Sequence, residues 1–434
     1  MYSAALTGNA ASGKSTLAEL WRSEGISVLQ ADDLARRALA PGSAALEALR
    51  ESFGARALTE AGELDRRWMR ELVFSDGEAR RRLEAIVHPE VRRLRAEREE
   101  ELRRQGVELV VSEIPLLFEA GLEGDFDCVV LVDADPEVRL RRLMDSKGFD
   151  RELAGRLMAS QGDPAAKREP SRFVIENNAG LDMLAVAGRR VLAELRQLAG
   201  MAMRMDLHIH TWSSFDSLSR PELVLDRALA RGCGRIALTD HDRIGAAALM
   251  ADRYPALVIP GEEVKSREGV DVIGLYLSLE IPRRTPAREA IRQIRDQGGV
   301  PYLPHPYAPG KGGDGRMAEE LGPLCDVIEV FNGRLHSTAP QKKAAALRTR
   351  LGKVPGAGSD AHTLGEVGRS TITVESHPNE PEALVDALAG GVVNGRMSSR
   401  LVHLGSTWAK FRKKLAGGPW TEPEVEDEQG GADC

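Results

Sequence analysis

Two groups of residues have the types and spacing that chemistry requires. The first is Gly8-Asn9-Ala10-Ala11-Ser12-Gly13-Lys14-Ser15-Thr16, which matches G-x-x-x-x-G-K-[ST]. Its glycines let backbone amides approach phosphate oxygens with no Cβ in the way. Those amides and the start of a following helix form an anion nest. Lys14 is placed to reach the β- and γ-phosphates of a nucleotide, and Ser15 to ligand Mg²⁺. The motif speaks for ATP or GTP and is silent about the acceptor.

The second group lies after residue 204. It comprises His208-Ile209-His210, Asp216, Asp240-His241-Asp242, Glu263, His305 and Asp360-Ala361-His362. H-x-H and D-x-H place ligands at i and i+2, which share one side of an extended strand. Each group falls at the end of a predicted strand, where an α/β barrel carries its site loops. Imidazole with carboxylate suits Zn, Mn or Fe. Five of the nine histidines sit in these clusters, a convergence that a lone structural histidine does not show.

The elements that must position these groups alternate. Short apolar runs at Ser3–Thr7, Ile26–Leu29, Glu108–Val111 and Cys128–Val132 predict buried strands, with helical spacing between them and a closing amphipathic helix over Met183–Leu198. The alternation restarts with Met205–His208, Arg235–Thr239, Leu257–Ile259, Val272–Leu277, Val327–Val330 and Val354–Gly356. This predicts an α/β chain with parallel sheet in both halves. Two domains are expected, 1–202 and 203–404. A disordered tail is expected over 405–434, basic over Trp408–Leu415 and acidic over Glu422–Asp433. Hydrophobic content of 42% and charged content of 29% describe an ordinary globular chain. No apolar run approaches the ~20 residues of a membrane span, and MYSAALTGNA reads directly into the motif, so the expectation is cytoplasmic. Cys128, Cys233, Cys325 and Cys434 have no paired spacing, and the net charge of −7 gives no general nucleic-acid footprint.

Residues 2 to 195 resemble the dephospho-coenzyme A kinase family. The resemblance runs through LTGNAASGKST, VLQADDLAR, FGARAL…GELDR, LEAIVHP, EIPLLFEAGL, VRLRRLM and VIENNAGLDML, in that order. It implies a P-loop NTPase-type three-layer domain that uses ATP with Mg²⁺ to phosphorylate the ribose 3′-hydroxyl of dephospho-coenzyme A. Asp32 matches the second member of the family's Asp-x-Asp pair beside the acceptor, and would orient or deprotonate the hydroxyl. The first member is Gln30 here, and Asn9 and Ala11 replace customary glycines. His88-Pro89 matches an acceptor-binding segment, and Pro115, Leu116, Leu117 and Glu119 match PLL-x-E. Arg142 fits the start of a lid over ATP, with Lys147 the nearest cation to its second arginine.

Residues 204 to 400 resemble the polymerase-and-histidinol-phosphatase (PHP) phosphoesterases, through DLHIHT, ALTDHD, PGEEV, the PHP tripeptide at 304–306, EVFNGR and GSDAH. That resemblance implies a distorted (β/α)7 barrel with two or three divalent metals, Mn, Zn or Fe. His208, His210, Glu263 and Asp360 match one metal's ligands, and Asp216, His241 and His362 those of a neighbour. Asp271 stands where many relatives have a third-site histidine beside Glu263 and His305. Arg369 is a phosphate-contact candidate. Together the resemblances imply a bifunctional enzyme acting on small molecules, the second substrate a phosphoester such as a nucleoside 3′,5′-bisphosphate. No membrane partner is expected, nor any nucleic acid beyond short oligonucleotides. Two alternatives stay open: a kinase with a metal-bound regulatory module, motivated by Asp271, or a P-loop kinase for another metabolite, motivated by Gln30.

Overall fold

The computed structural model describes residues 1–309, 315–399 and 402–415, apart from the side chains of Phe74, Ser75 and Lys147. The chain divides into two compact units, Met1–Leu195 and Arg196–Cys434.

In the first unit, β1 (Tyr2–Thr7), β2 (Ser27–Gln30), β3 (Leu109–Glu113), β4 (Cys128–Asp133) and β5 (Phe173–Glu176) form one sheet in the order β2-β3-β1-β4-β5. Every pairing is parallel. The central strands carry the continuous apolar runs that a sheet covered on both faces demands, with Ala4 to Leu6, Val110, Val111 and Val130 to Val132 all buried. The helix Lys14–Ser23 follows β1, and the helix Ala31–Ala38 follows β2. A long helix, Gly77–Arg104, carries His88-Pro89 in its interior and starts on Asp76, whose side chain accepts from the amides of Glu78 and Ala79.

In the second unit, β6 (Met203–Ile209), β7 (Cys233–His241), β8 (Val258–Lys265), β9 (Asp271–Leu275), β10 (Val300–Leu303), β11 (Val327–Asn332), β12 (Val354–Gly358), β13 (Ser370–Val374) and β14 (Val392–Gly395) form a nine-stranded sheet. Its order is β12-β11-β10-β9-β8-β7-β6-β13-β14. The strands from β6 to β12 curl into a nearly closed ring, because the segment after β12 returns to the end of β6 through an isolated parallel bridge between Ile209 and Ala361. Two backbone bonds seal it, Asp360 N to His208 O at 2.8 Å and His210 N to Ala361 O at 2.9 Å. At Gly358 a Cβ would stand 2.2 Å from the His208 Cβ, so only glycine permits this approach. The distortion has a defined origin: β9 runs antiparallel to both β8 and β10. Its first residue, Asp271, therefore pairs with the last of β8, Lys265, at the end of the barrel where the parallel strands finish. Met205, Leu207, Ala237, Ile259, Ile273 and Tyr302 belong to one buried hydrophobic cluster of this unit.

Three expectations need correction. The division falls between Leu195 and Arg196 rather than at 202. The last turn of the helix Leu181–Leu198 belongs to the second unit, where Gln197 bonds the carbonyl of Gly234 at 2.9 Å and accepts from Arg235 at 3.0 Å. The expected disordered tail is a helix over Val402–Leu415, with Ser406, Ala409 and Lys413 buried, while 416–434 lie outside the described residues. β5, β10, β13 and β14 had no counterpart among the predicted strands. Among the described residues no helix is long and apolar enough to cross a membrane.

Candidate phosphate cradle and candidate metal centre

The turn from β1 into the helix Lys14–Ser23 forms the cradle. Gly8, Ala11 and Gly13 all adopt positive φ, and a Cβ on Gly13 would lie 2.3 Å from Asn177 Nδ2. Asn177 instead donates to the Ser12 carbonyl at 2.7 Å, fastening the loop to the segment after β5. Asn9 has work of its own. Its Oδ1 accepts from the buried Lys167 ammonium at 2.7 Å and its Nδ2 donates to the Gly162 carbonyl at 3.1 Å. Ala10 N donates to Gln161 Oε1 at 2.8 Å.

Burial draws the Lys14 ammonium below its ordinary pKa, and Glu113 and Asp32 pull it part of the way back. Ser15 Oγ donates to Glu113 Oε1 at 2.5 Å, and Gln30 Nε2 donates to Glu113 Oε2 at 3.1 Å. Glu113, at the end of β3, was quoted in a motif but given no role by sequence. It also explains Gln30: an aspartate there would set a second carboxylate against Glu113, whereas the amide donates to it.

Two cavities flank these residues. The larger, about 1730 Å³, is lined by Gly13, Lys14, Ser15, Thr16, Arg142 and Asn177. Arg142 is oriented by the carbonyl of Asn177 at 2.9 Å. The smaller, about 260 Å³, brings Asp32 and His88 together with Arg92, Pro115 and Leu116. The Lys147 side chain lies outside the described residues.

In the barrel, all nine expected ligands come together. Glu263 Oε2 is surrounded by His241 Nδ1 at 3.0 Å, His210 Nε2 at 3.3 Å and His208 Nε2 at 3.4 Å. His305 Nε2 lies 3.0 Å from Glu263 Oε1, Asp360 Oδ1 3.3 Å from His210 Nε2, and Asp216 Oδ2 3.2 Å from His362 Nε2. Three triads could each hold an ion: His210/His241/His362, His208/Glu263/His305 and His208/His210/Asp360. Asp271 is reached by Lys265, whose ammonium lies 2.9 Å from Oδ1, and its Oδ2 is 4.0 Å from His305 Nε2. His305 and Asp360 both sit at positive φ, a strain that sites impose on non-glycine residues.

The surrounding bonds decide which ring nitrogens carry protons. His208 Nδ1 faces Glu329 Oε1 at 3.1 Å, and His362 Nδ1 faces the Asp360 carbonyl at 2.9 Å. Both partners are acceptors only, so both Nδ1 atoms are donors. His210 Nδ1 faces Ser214 Oγ at 3.1 Å, and that hydroxyl spends its proton on Asp240 Oδ1 at 2.9 Å. The Nε2 atoms of all three then aim inward, with His208 and His210 Nε2 only 3.1 Å apart among carboxylates. Two ring nitrogens this close need a cation, a proton or a metal ion, between them, and this donor set of imidazoles and carboxylates fits divalent metals. Burial opposes protonating either ring. For His208 the carboxylates of Glu263, Asp360 and Glu329 overcome it and raise the pKa well above ordinary. For His210, burial with His362 and His241 beside it holds the pKa well below ordinary.

Sequence reasoning assigned nothing to Glu329, which also accepts from Tyr302 Oη at 3.0 Å, the His305 amide at 2.7 Å and Asn332 at 3.0 Å. The EVFNGR segment was the available signal. Arg369 is not brought to the cluster. It lies after Gly368 at φ +73°, is exposed, and does not line the cavity of about 570 Å³ that opens onto the ligands.

The folds and sites define an α/β chain that joins a P-loop nucleotide-binding unit to a barrel whose clustered imidazoles and carboxylates could hold metal ions. A family model described as dephospho-CoA kinase matches residues 2–182, and one described as PHP-associated matches residues 340–393. A dephospho-CoA kinase of Syntrophotalea carbinolica is 42% identical over 177 residues, 41% of this chain and 84% of that protein. A solved structure from Thermus thermophilus is 45% identical, covering 45% of this chain and 97% of its own, with a TM-score of 0.40. A candidate metal-dependent phosphoesterase from Bifidobacterium adolescentis is 16% identical, covering 37% of this chain and 88% of its own, with a TM-score of 0.31. Through its first half the chain belongs to the dephospho-CoA kinase family.

Proposed function

We propose that the chain catalyses two reactions. The first unit transfers a phosphoryl group from ATP to the ribose 3′-hydroxyl of dephospho-coenzyme A. Family membership supports this, as does the placing of Lys14 and Asp32 at the cradle and at the smaller cavity. Lys14 presents a half-desolvated positive charge where the transferred phosphoryl group gathers negative charge. Asp32, with its carboxylate in the smaller cavity, orients the acceptor hydroxyl or takes its proton. Ser15 and Glu113 offer adjacent hard oxygens that fit Mg²⁺. Arg142 holds the nucleotide side of the cradle.

The second unit hydrolyses a phosphate ester. The observation that carries this reading is the set of imidazole nitrogens and carboxylates converging on one buried space. His208, His210, Glu263 and Asp360 would hold one ion, Asp216, His241 and His362 a second, and Glu263, Asp271 and His305 a weaker third. Bound ions would supply Lewis acidity toward phosphate oxygens and an attacking water. Glu329, Ser214 and the Asp360 carbonyl keep ring protons on Nδ1 and the Nε2 atoms pointing inward. A cavity of about 570 Å³ lies in the usual small-molecule range of roughly 300–1,000 Å³. It suits a nucleoside 3′,5′-bisphosphate, which carries the same 3′-phosphate that the first unit installs. Coenzyme A itself would need a groove for its long arm, and cleaving it would undo the first reaction.

The test is elemental analysis of the purified chain after metal-replete expression, followed by phosphate release with Mn²⁺. Two tightly bound divalent ions per chain are expected, with adenosine 3′,5′-bisphosphate cleaved far faster than coenzyme A or monophosphates. Absence of metal, or equal or absent release from all substrates, would sink the phosphoesterase reading.

A further inference from the structure

The helix Val402–Leu415 lies over the rim of the metal centre and is fastened there at several points. Lys413 is buried, and its ammonium donates to the carbonyls of Trp212 and Ser214. Those residues belong to the loop between His210 and Asp216, and Ser214 is the residue that faces His210 Nδ1. Arg334 Nη2 donates to Ser406 Oγ at 3.1 Å. At Gly405 a Cβ would come 2.8 Å from Thr363 Cγ2, beside His362. The helix thus touches two loops that lead from metal ligands and the segment that follows β11.

Its inward residues His403, Ser406 and Lys410 line the same cavity as Asp216, His241, Asp360 and His362. The cations around that cavity divide into two kinds. Arg283 is held by Asp242 at 3.2 Å, Lys265 by Asp271 at 2.9 Å, and Arg334 by Glu366 at 3.1 Å. Lys410 meets a carboxylate only loosely, 3.6 Å from Asp216, which His362 already engages at 3.2 Å. Its ammonium stands 5.0 Å over the Phe215 ring. His403 and His336 face each other with Nε2 atoms 2.7 Å apart, and among the described residues no carboxylate comes within 4 Å of either. A half-exposed ammonium and a pair of facing imidazoles therefore line a cavity whose buried end is a metal-ligand cluster.

We propose that this helix is a wall of the phosphoesterase site, and that Lys410 with the His336/His403 pair binds a second anionic group of the substrate. The substrate is then a phosphate ester bearing another phosphate or carboxylate away from the reacting centre. This rests on the phosphoesterase reading and adds a specificity subsite to it. A metal cluster takes the reacting phosphate and is indifferent to the rest of the molecule. A cationic wall on a separate element rewards only a molecule with charge at both ends.

The experiment uses the full-length protein in its metal-loaded and metal-stripped forms, with Lys410→Gln and His403→Gln. Lys410 is 52% exposed on its side chain, so neither fold nor metal content is expected to change, and elemental analysis checks this. Calorimetry measures binding of adenosine 3′,5′-bisphosphate against adenosine 3′- and 5′-monophosphates, and phosphate release gives the same comparison in kcat/KM. Each variant is expected to lose about tenfold in affinity for the bisphosphate, the scale of one charge-assisted hydrogen bond. The monophosphates should change less than twofold. If the variants weaken all three ligands equally, or none, the subsite is overturned while hydrolysis by the wild type stands. If the wild type binds the bisphosphate in a Lys410-dependent way but releases no phosphate, the subsite stands and the hydrolytic reading falls.

Discussion

At the residue scale, the kinase site turns on carboxylates whose neighbours set their roles. Asp32 lines the smaller cavity, whereas Glu113 is occupied by Ser15 and Gln30. Asp32→Asn keeps size and polarity and removes the acceptor for the hydroxyl proton. Turnover on dephospho-coenzyme A is expected to fall at least ~10²-fold with ATP binding nearly unchanged, measured by steady-state kinetics and nucleotide titration. Unchanged turnover would remove Asp32 from the chemistry. The convergence of His208 and His210 was legible in the sequence because alternate residues of an extended strand share a side, whereas Asp360 reaches the cluster from a positive-φ turn after β12 that no spacing announces. Glu113 and Glu329 were not legible, because a single glutamate at a strand end has no spacing to announce it.

At the element scale, continuous apolar runs revealed the central strands and their parallel order. β10 is an apolar run of four residues broken by Pro301, and β13 and β14 lack continuous apolar runs, so periodicity could not find them. The helix Val402–Leu415 was hidden by composition, since a basic segment with two exposed aromatics, Trp408 and Phe411, reads as solvated chain. What orders it is the Lys413 ammonium satisfied by two carbonyls, a contact no local pattern encodes. In the first unit a comparable tie joins the cradle to the helix Pro164–Arg168, where buried Lys167 bridges Asn9 and Glu119, each at 2.7 Å. Burial pushes the Glu119 carboxyl up, but the Lys167 bond and the Gly162 amide bring it below the ordinary carboxylate range. A depressed carboxylate contributes stability that is full above its unfolded pKa of about 4.3 and is lost as pH falls through the folded value. Glu119→Gln should therefore destabilise the first unit by on the order of 1 kcal/mol at pH 7. The difference from wild type should close below about pH 4, as followed by chemical denaturation across pH. A deficit that persists at low pH would show that Glu119 acts through packing rather than charge.

At the scale of the whole molecule, two compact units carry two sets of chemical groups that share no residue. Fold alone would not specify either reaction, since P-loop sheets and α/β barrels host many chemistries. The assignment rests on the groups: a desolvated lysine in an anion nest in one unit, and inward imidazole nitrogens among carboxylates in the other. Independent sites make a strict demand on variants. Full-length wild type, Lys14→Ala and His208→Ala should be assayed side by side for coenzyme A formation from dephospho-coenzyme A and ATP, and for Mn²⁺-dependent phosphate release from adenosine 3′,5′-bisphosphate. Lys14→Ala is expected to lose roughly 10²–10³-fold or more in the first reaction, the scale of a lost transition-state charge partner, and to keep the second. His208→Ala is expected to lose the second together with bound metal, and to keep the first. Coenzyme A formation that survives Lys14→Ala, or a single variant that abolishes both reactions while the protein stays folded, would contradict the account.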